Sequence, residues 1–318
     1  MLQSIWEDVK REFKVGNMVT RIIITNVVVF VMVNLLWIIL RIGSGWETPE
    51  VYNTIRNFFL ISADWKHNLT HPWVIITHAF VHEGFWHLLW NMLFMYWFGR
   101  IVGDFIGNQR ILPVYLLGGI VGGITYFASV NLLSYTGGQF ALGASGAVMA
   151  IVVAAGTISP DYIMRLLFIG NVKLKYIVAV LVFIDLIGMA GDINTGGHFA
   201  HLGGALFGYI FVRQLRDGND WSIPVNGVID RIIEFYRNLS SGQKSRKGPR
   251  VVYKNPVKTK KTAHSSKKGE SVSDYEDLSH QETLDAILDK VQQSGLHSLT
   301  SAERRFLQRQ TESRRGSP

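Results

Sequence analysis

Gly143-Ala144-Ser145-Gly146-Ala147 opens a segment that runs to Ile158 without one charged residue and stops before Pro160. So apolar a run reads as a helix entering a membrane. The serine at its mouth has two readings. Gly143 with Ala147, and Gly146 with Ala150, are each four residues apart, a spacing at which small side chains let helices pack closely. Alternatively, Ser145 lies on the first turn of that helix. Backbone N–H groups there lack intrahelical partners and the helix dipole is positive. An oxyanion formed on a carbonyl attacked by Ser145 would be stabilised at that place.

The rest of the composition agrees with a membrane setting. The chain is 48% hydrophobic and 18% charged, too apolar for an ordinary soluble domain, and its charges crowd the C-terminal third. It contains no cysteine, which excludes disulfides and thiolate-held zinc. Lys10, Arg11 and Lys14 precede a long apolar run, but no small-residue cleavage site follows it, so the start does not read as a secretory signal.

Six apolar segments are long enough, or nearly so, to be spans. They are Ile22–Leu40, Val74 to about Gly103, Ile111 to about Leu133, Ala144–Ile158, about Tyr176–Ala190 and about Gly197–Val212. The third carries Gly118, Gly119, Gly122 and Gly123, two overlapping small-residue pairs for close packing. Residues 1–20 read as an amphipathic surface segment, 41–73 as a long loop with interfacial pieces, and 21–213 as the six-helix domain. Lysine and arginine gather at the N-terminus, the 104–110 and 159–175 loops and the tail, which places both termini in the cytosol. Spans two, four and six then start on the outer side. Ser145 and His201, each near the start of its span, come out at a similar shallow depth.

His201 follows Gly196-x-x-x-Ala200. An ionisable residue inside a span is a functional candidate by default, and a neutral imidazole beside a serine can take its proton and return it to a leaving amine. His198 lies nearer the surface. On the second span His87 and Asn91 are four apart and share a face, as do His78 and His82. His82-Glu83-Gly84-Phe85-Trp86-His87 is one residue too long for the zinc motif HExxH. His87 and Asn91 therefore read as hydrogen-bond donors towards a developing negative charge. Asp185 on the fifth span could orient His201 as a third triad member, but nothing in its spacing aims it at the sixth span, so a structural polar contact and a Ser145–His201 dyad are expected.

Residues 214–280 read as a linker with an amphipathic start at 224–239, followed by ten basic residues between Lys244 and Lys268 that favour anionic lipid over nucleic acid. From 281 to 318 helical periodicity returns. Leu284, Ile287, Leu288 and Val291 share a face, Gly295 can end that helix, and Thr300 with Glu303 forms a capping box for a second one carrying Phe306 and Leu307. A small helical hairpin is expected.

Taken together, HEGFWHLLWNM, GASGA and GGHFAHLGGALFG, in that order on the second, fourth and sixth spans, resemble the rhomboid family of intramembrane serine proteases. The resemblance covers roughly residues 20–212. It implies an all-α, six-transmembrane-helix bundle with a cytosolic C-terminal tail. It also implies a water-filled cavity open to the outside, with Ser145 and His201 catalytic, His87 and Asn91 stabilising the oxyanion, and His198 the non-catalytic member of its pair. Single-span membrane proteins would be cut near their membrane boundary, at small residues, with no cofactor and no metal. The partners it implies are transmembrane-helix substrates and the lipid bilayer. The family often packs an aromatic residue against the histidine where this chain has Met149. A catalytically inactive relative that binds transmembrane clients, and a transporter with a histidine-lined path, are the rival readings. The short loops and the lack of an organelle-targeting pattern point to a bacterial inner (plasma) membrane.

Overall fold

The computed structural model describes residues 7, 9–13, 16–133, 138–191, 194–241, 284, 287–291 and 299–307. The chain divides into two units, Met1–Arg246 and Lys247–Pro318.

The first unit is an all-α membrane bundle carrying two short two-stranded ladders, one of them a hairpin. Helix α1 (Met18–Gly43) is capped by the Asn17 side chain, which accepts from Thr20 N–H. Short helices α2 (Glu50–Asn57), α3 (Trp65–Thr70) and α4 (Val74–Thr77) and the strand β1 (Ile61–Ser62) fill the expected 41–73 loop and its continuation. A 3-10 turn at His78–Phe80 precedes α5 (Phe85–Ile106), and another at Asn108–Arg110 leads into α6 (Ile111–Leu132). Strand β2 (Phe140–Ala141) precedes α7 (Ser145–Ile158). Strands β3 (Ile163–Leu166) and β4 (Gly170–Lys173) join it to α8 (Leu174–Gly188). Helices α9 (Thr195–Arg216) and α10 (Ser222–Ser241) follow. By length and composition, two described helical stretches can cross a membrane, Met18–Gly43 and Asn108–Leu132, and α7 is a shorter apolar helix.

The second expected span is corrected. Val74 to Gly103 is not one helix, because Val81 and Gly84 adopt extended backbone and α5 begins only at Phe85. His78 and His82 therefore share no helical face, whereas His87 and Asn91 do.

Helix α7 is the centre of the core. Ten of its residues from Gly146 to Ala155, and Gly156, are buried. Helices α6 and α9 close around it through glycine. A methyl group on Gly204 would overlap the Gly146 carbonyl oxygen, one on Gly208 the Ala150 carbonyl oxygen, and one on Gly118 the Ala150 side chain. A methyl on Gly122 would stand 2.9 Å from the Ala200 carbonyl oxygen. With no hydrophobic drive between helices in lipid, such backbone-to-backbone contact is what holds them. Asn26, a polar break in the first expected span, is fully buried. Its Nδ2 donates to Ile22 O (2.9 Å) and Tyr115 Oη (3.1 Å), and Tyr115 Oη donates to Ala79 O (2.7 Å). This chain of bonds ties α1 to α6 and to the 3-10 turn.

At the opposite end from Ser145, Arg110 donates from Nε to Asp220 Oδ2 (2.8 Å), fastening the α5–α6 connection to the start of α10. Burial alone would raise the Asp220 pKa, but hydrogen bonds from Ser222 and Arg110 outweigh it and hold the carboxyl below its usual range.

In the second unit the expected capping box is present. Thr300 N–H donates to Glu303 Oε2 (2.7 Å) and Glu303 N–H to Thr300 Oγ1 (3.3 Å). Lys290 Nζ bonds Glu303 Oε1 at 2.9 Å over the buried Ile287 and Leu299. Gly295 and residues 242–283, which hold most of the expected basic linker, lie outside the described residues.

Two outcomes follow from this packing. Gly204→Val should destabilise the bundle by about 1–3 kcal/mol or more. Gly227→Ala, in open space on α10, should be neutral or slightly stabilising, as read by thermal unfolding in detergent. Asp220→Asn should cost about 1–2 kcal/mol near neutral pH. Because the folded pKa of Asp220 is depressed, that cost is present above the ordinary carboxylate pKa. It should shrink as pH falls through the folded value, which a pH series of the same unfolding measurement reads.

Candidate functional site

A cavity of about 690 Å³ is lined by Ser145, His201, His87, Asn91, Asp185 and Met149 among others. All four residues singled out as catalytic or oxyanion-binding therefore face one space, delivered by three helices.

Ser145 is the first residue of α7 and half-buried. The turn before it is held from two sides. Gly143 N–H donates to His78 O (2.9 Å), and Ala144 N–H donates to His82 Nε2 (3.2 Å). That second bond requires the neutral His82 tautomer with its proton on Nδ1. Gly143 has φ +109, a conformation that costs a side-chain-bearing residue strain, and a Cβ there would meet the His87 ring at 2.7 Å. The imidazole of His87 thus lies directly over the turn that presents Ser145. It also meets the His82 ring edge-on, 5.0 Å between centroids. Asn91 is buried and donates from Nδ2 to the His87 carbonyl one turn back (2.8 Å).

The roof over the turn is pinned. Ile61 pairs with Ala141 and Ser62 with Phe140 in an antiparallel β1–β2 ladder, and Tyr126 Oη donates to Gly138 O (2.5 Å). On the other side the cavity is lined by Asn194, Gly196 and Gly197 at the start of α9. Asp192 and Ile193, in the connection from α8 to α9, lie outside the described residues.

His201 is placed by a residue that sequence spacing did not aim at it. Nδ1 of His201 lies 2.8 Å from Asp185 Oδ1, and Nδ1 of His198 lies 2.8 Å from the same oxygen. Asp185 is 5% exposed. The expectation of a structural contact for Asp185 holds for His198, but the carboxylate also fastens His201. Each imidazole donates its Nδ1 proton to the shared oxygen, which leaves Nε2 of His201 as an acceptor for a proton. The described hydrogen bonds do not link His201 to Ser145; both line the cavity without touching through a bond.

Asp185, His198 and His201 are also the described residues whose ligand atoms, all within 4.8 Å of one another, could hold a metal ion. The two Nδ1 atoms and Asp185 Oδ1 are already engaged with one another. His82 as a brace for the Ser145 turn was missed in the sequence, and Asp185 as a partner of His201 was set aside there for a purely structural contact. A buried histidine five residues before another, and an aspartate alone on an apolar helix, carry no directional signal until the backbone between them is known.

Residues 69–217 match the Rhomboid domain, and residues 274–313 match a family of unknown function (DUF6576). Over 207 residues the chain is 30% identical to the presenilin-associated rhomboid-like protein, mitochondrial, of Homo sapiens, covering 61% of this chain and 47% of that protein. It is 27% identical over 186 residues to Rhomboid protein 1, mitochondrial, of Saccharomyces cerevisiae, covering 56% and 52%. To RHOMBOID-like protein 12, mitochondrial, of Arabidopsis thaliana it is 29% identical over 215 residues, covering 64% and 59%. The chain thus spans about half the length of the curated relatives it matches.

These mitochondrial relatives contradict the expected bacterial inner plasma membrane. Basic-residue bias and loop length report how a bundle is oriented in a bilayer; they hold no information about which membrane that is.

The geometry of the turn yields one check. Gly143→Ala combines a positive φ with a clash against the His87 ring, so it should lower stability by about 1–3 kcal/mol. Gly84→Ala, where a Cβ would sit 4.0 Å from its nearest neighbour, should leave the unfolding temperature nearly unchanged.

Proposed function

Because the chain belongs to the rhomboid family, we propose that it is an intramembrane serine endopeptidase whose six long helices α1 and α5–α9 cross the bilayer. The observation that carries this reading is the fastening of His201 by Asp185 through Nδ1, with Nε2 left over in the cavity that Ser145 also lines.

In this reading Ser145 Oγ attacks a peptide carbonyl while His201 Nε2 takes its proton. The imidazolium that forms is stabilised by Asp185. The oxyanion falls between the first N–H groups of α7, the His87 ring and the Asn91 amide. His201 returns its proton to the leaving amine, and water then hydrolyses the acyl-enzyme with the same histidine as base. In this reading the Ser145–His201 bond forms as substrate arrives, since such bonds are often long or poorly aligned beforehand.

The length of α7 supports the depth of the site. Its 14 residues give a rod of about 21 Å, short of the roughly 30 Å hydrocarbon core. Ser145 then sits below the membrane surface, where a polar-lined cavity can admit water. In this reading a substrate helix must unwind there to expose its carbonyl.

The test is cleavage of a tagged single-span substrate by the full chain in liposomes. Ser145→Ala and His201→Ala should each abolish the product at unchanged protein level. Asn91→Ala should slow it by at most about 100–1,000-fold. Asp185→Asn should lower kcat more than about tenfold with little change in KM. Cleavage that survives Ser145→Ala would overturn the assignment. Client binding without any cleavage would favour the inactive, client-binding reading.

A further inference from the structure

The β3–β4 hairpin carries a feature that the proteolytic reading does not use. Leu167, Phe168 and Ile169 form its tip and are 89%, 95% and 75% exposed. The tip is a defined turn. Leu166 pairs with Gly170, and Gly170 takes φ +88, the left-handed conformation that closes a hairpin of this kind. The hairpin is also fixed at its base. Leu174 N–H donates to Tyr162 O (2.8 Å) and Lys175 N–H to Pro160 O (3.0 Å), and the Tyr162 ring meets Phe105 of α5 edge-on. The three apolar side chains are therefore presented at a set place relative to α5, α7 and α8.

We propose that this tip inserts into the headgroup–acyl boundary of the leaflet at the end of the bundle opposite Ser145 and anchors the α7–α8 connection to lipid. Two observations select lipid over a protein partner. The first is charge arrangement. Arg165 lies on one shoulder of the tip, and Lys173 and Lys175 stand at the base sharing a single carboxylate, Asp161 (3.0 and 2.9 Å). Those lysines hold the exposed Asp161 carboxyl below its usual range, so it stays charged, and Arg165, Lys173 and Lys175 still outnumber it. Aliphatic and aromatic groups below a ring of cations match an acyl layer beneath anionic phosphates. The second is continuity. Four paired residues per strand give a reach of about 13 Å; β4 runs directly into α8, and residues 159–162 join α7 to β3. The tip thus starts from the boundary of the same apolar bundle. The inference rests on the membrane setting and is independent of whether the chain cuts substrates.

The chain contains no cysteine, so Phe168→Cys supplies one thiol for an NBD label at a position too exposed to disturb folding. The full labelled chain is placed in phosphatidylcholine vesicles with and without phosphatidylglycerol, at several protein-to-lipid ratios. The expected result is blue-shifted emission, with quenching several-fold stronger by nitroxide lipid than by aqueous iodide. It should hold at every ratio, increase with anionic lipid, and weaken on Arg165→Gln. Water-like emission with iodide access equal to that of free NBD-cysteine would overturn the proposal. So would shielding that disappears as lipid dilutes the protein, which would assign the tip to a second copy. Substrate cleavage measured on the same samples reports separately on Ser145.

Discussion

Bare backbone contact between α9 and α7 is the constraint that the rest of the bundle obeys. Gly204 and Gly208 lie against the carbonyls of Gly146 and Ala150 with no room for a methyl group. In lipid a larger side chain would gain nothing by burial against its neighbour, so close approach, dispersion and weak polar contact are what remain. The same approach brings the first turn of α7 and the first two turns of α9 to one cavity. Packing and chemistry are thus set by one run of small residues, and either demand alone would account for the glycines there.

Much of this was legible from the chain. The apolar segments gave the long helices to within a few residues, because uninterrupted hydrophobicity has few other uses. The i, i+4 spacing of His87 and Asn91 was reliable, since both fall inside α5. The failure at Val74–Gly103 has a long-range cause. Val-His-Glu-Gly contains residues acceptable to a helix, and the extended backbone at Val81 and Gly84 follows from long-range contacts of His78 and His82 with the Gly143 turn. Spacing within one segment cannot report contacts made 62 residues away.

Asp185 shows the same limit in another form. Its position on the fifth apolar segment was visible, but the rotation of α8 about its own axis was not, because that helix is apolar on nearly every side. Of its residues only Leu174 and Asp185 are buried. The carboxylate itself, through two imidazoles, defines which side of α8 faces inward.

That sparse packing has a mechanical corollary. Helix α8 rests on the core through the half-buried Ile177, Val178, Leu181 and Val182, and its one buried polar hook, Asp185, is also the prop beneath the His201 ring. Any displacement of α8 wide enough to break a 2.8 Å contact frees the imidazole in the same motion. In the proteolytic reading proposed above, doorway and trigger share a single fastening.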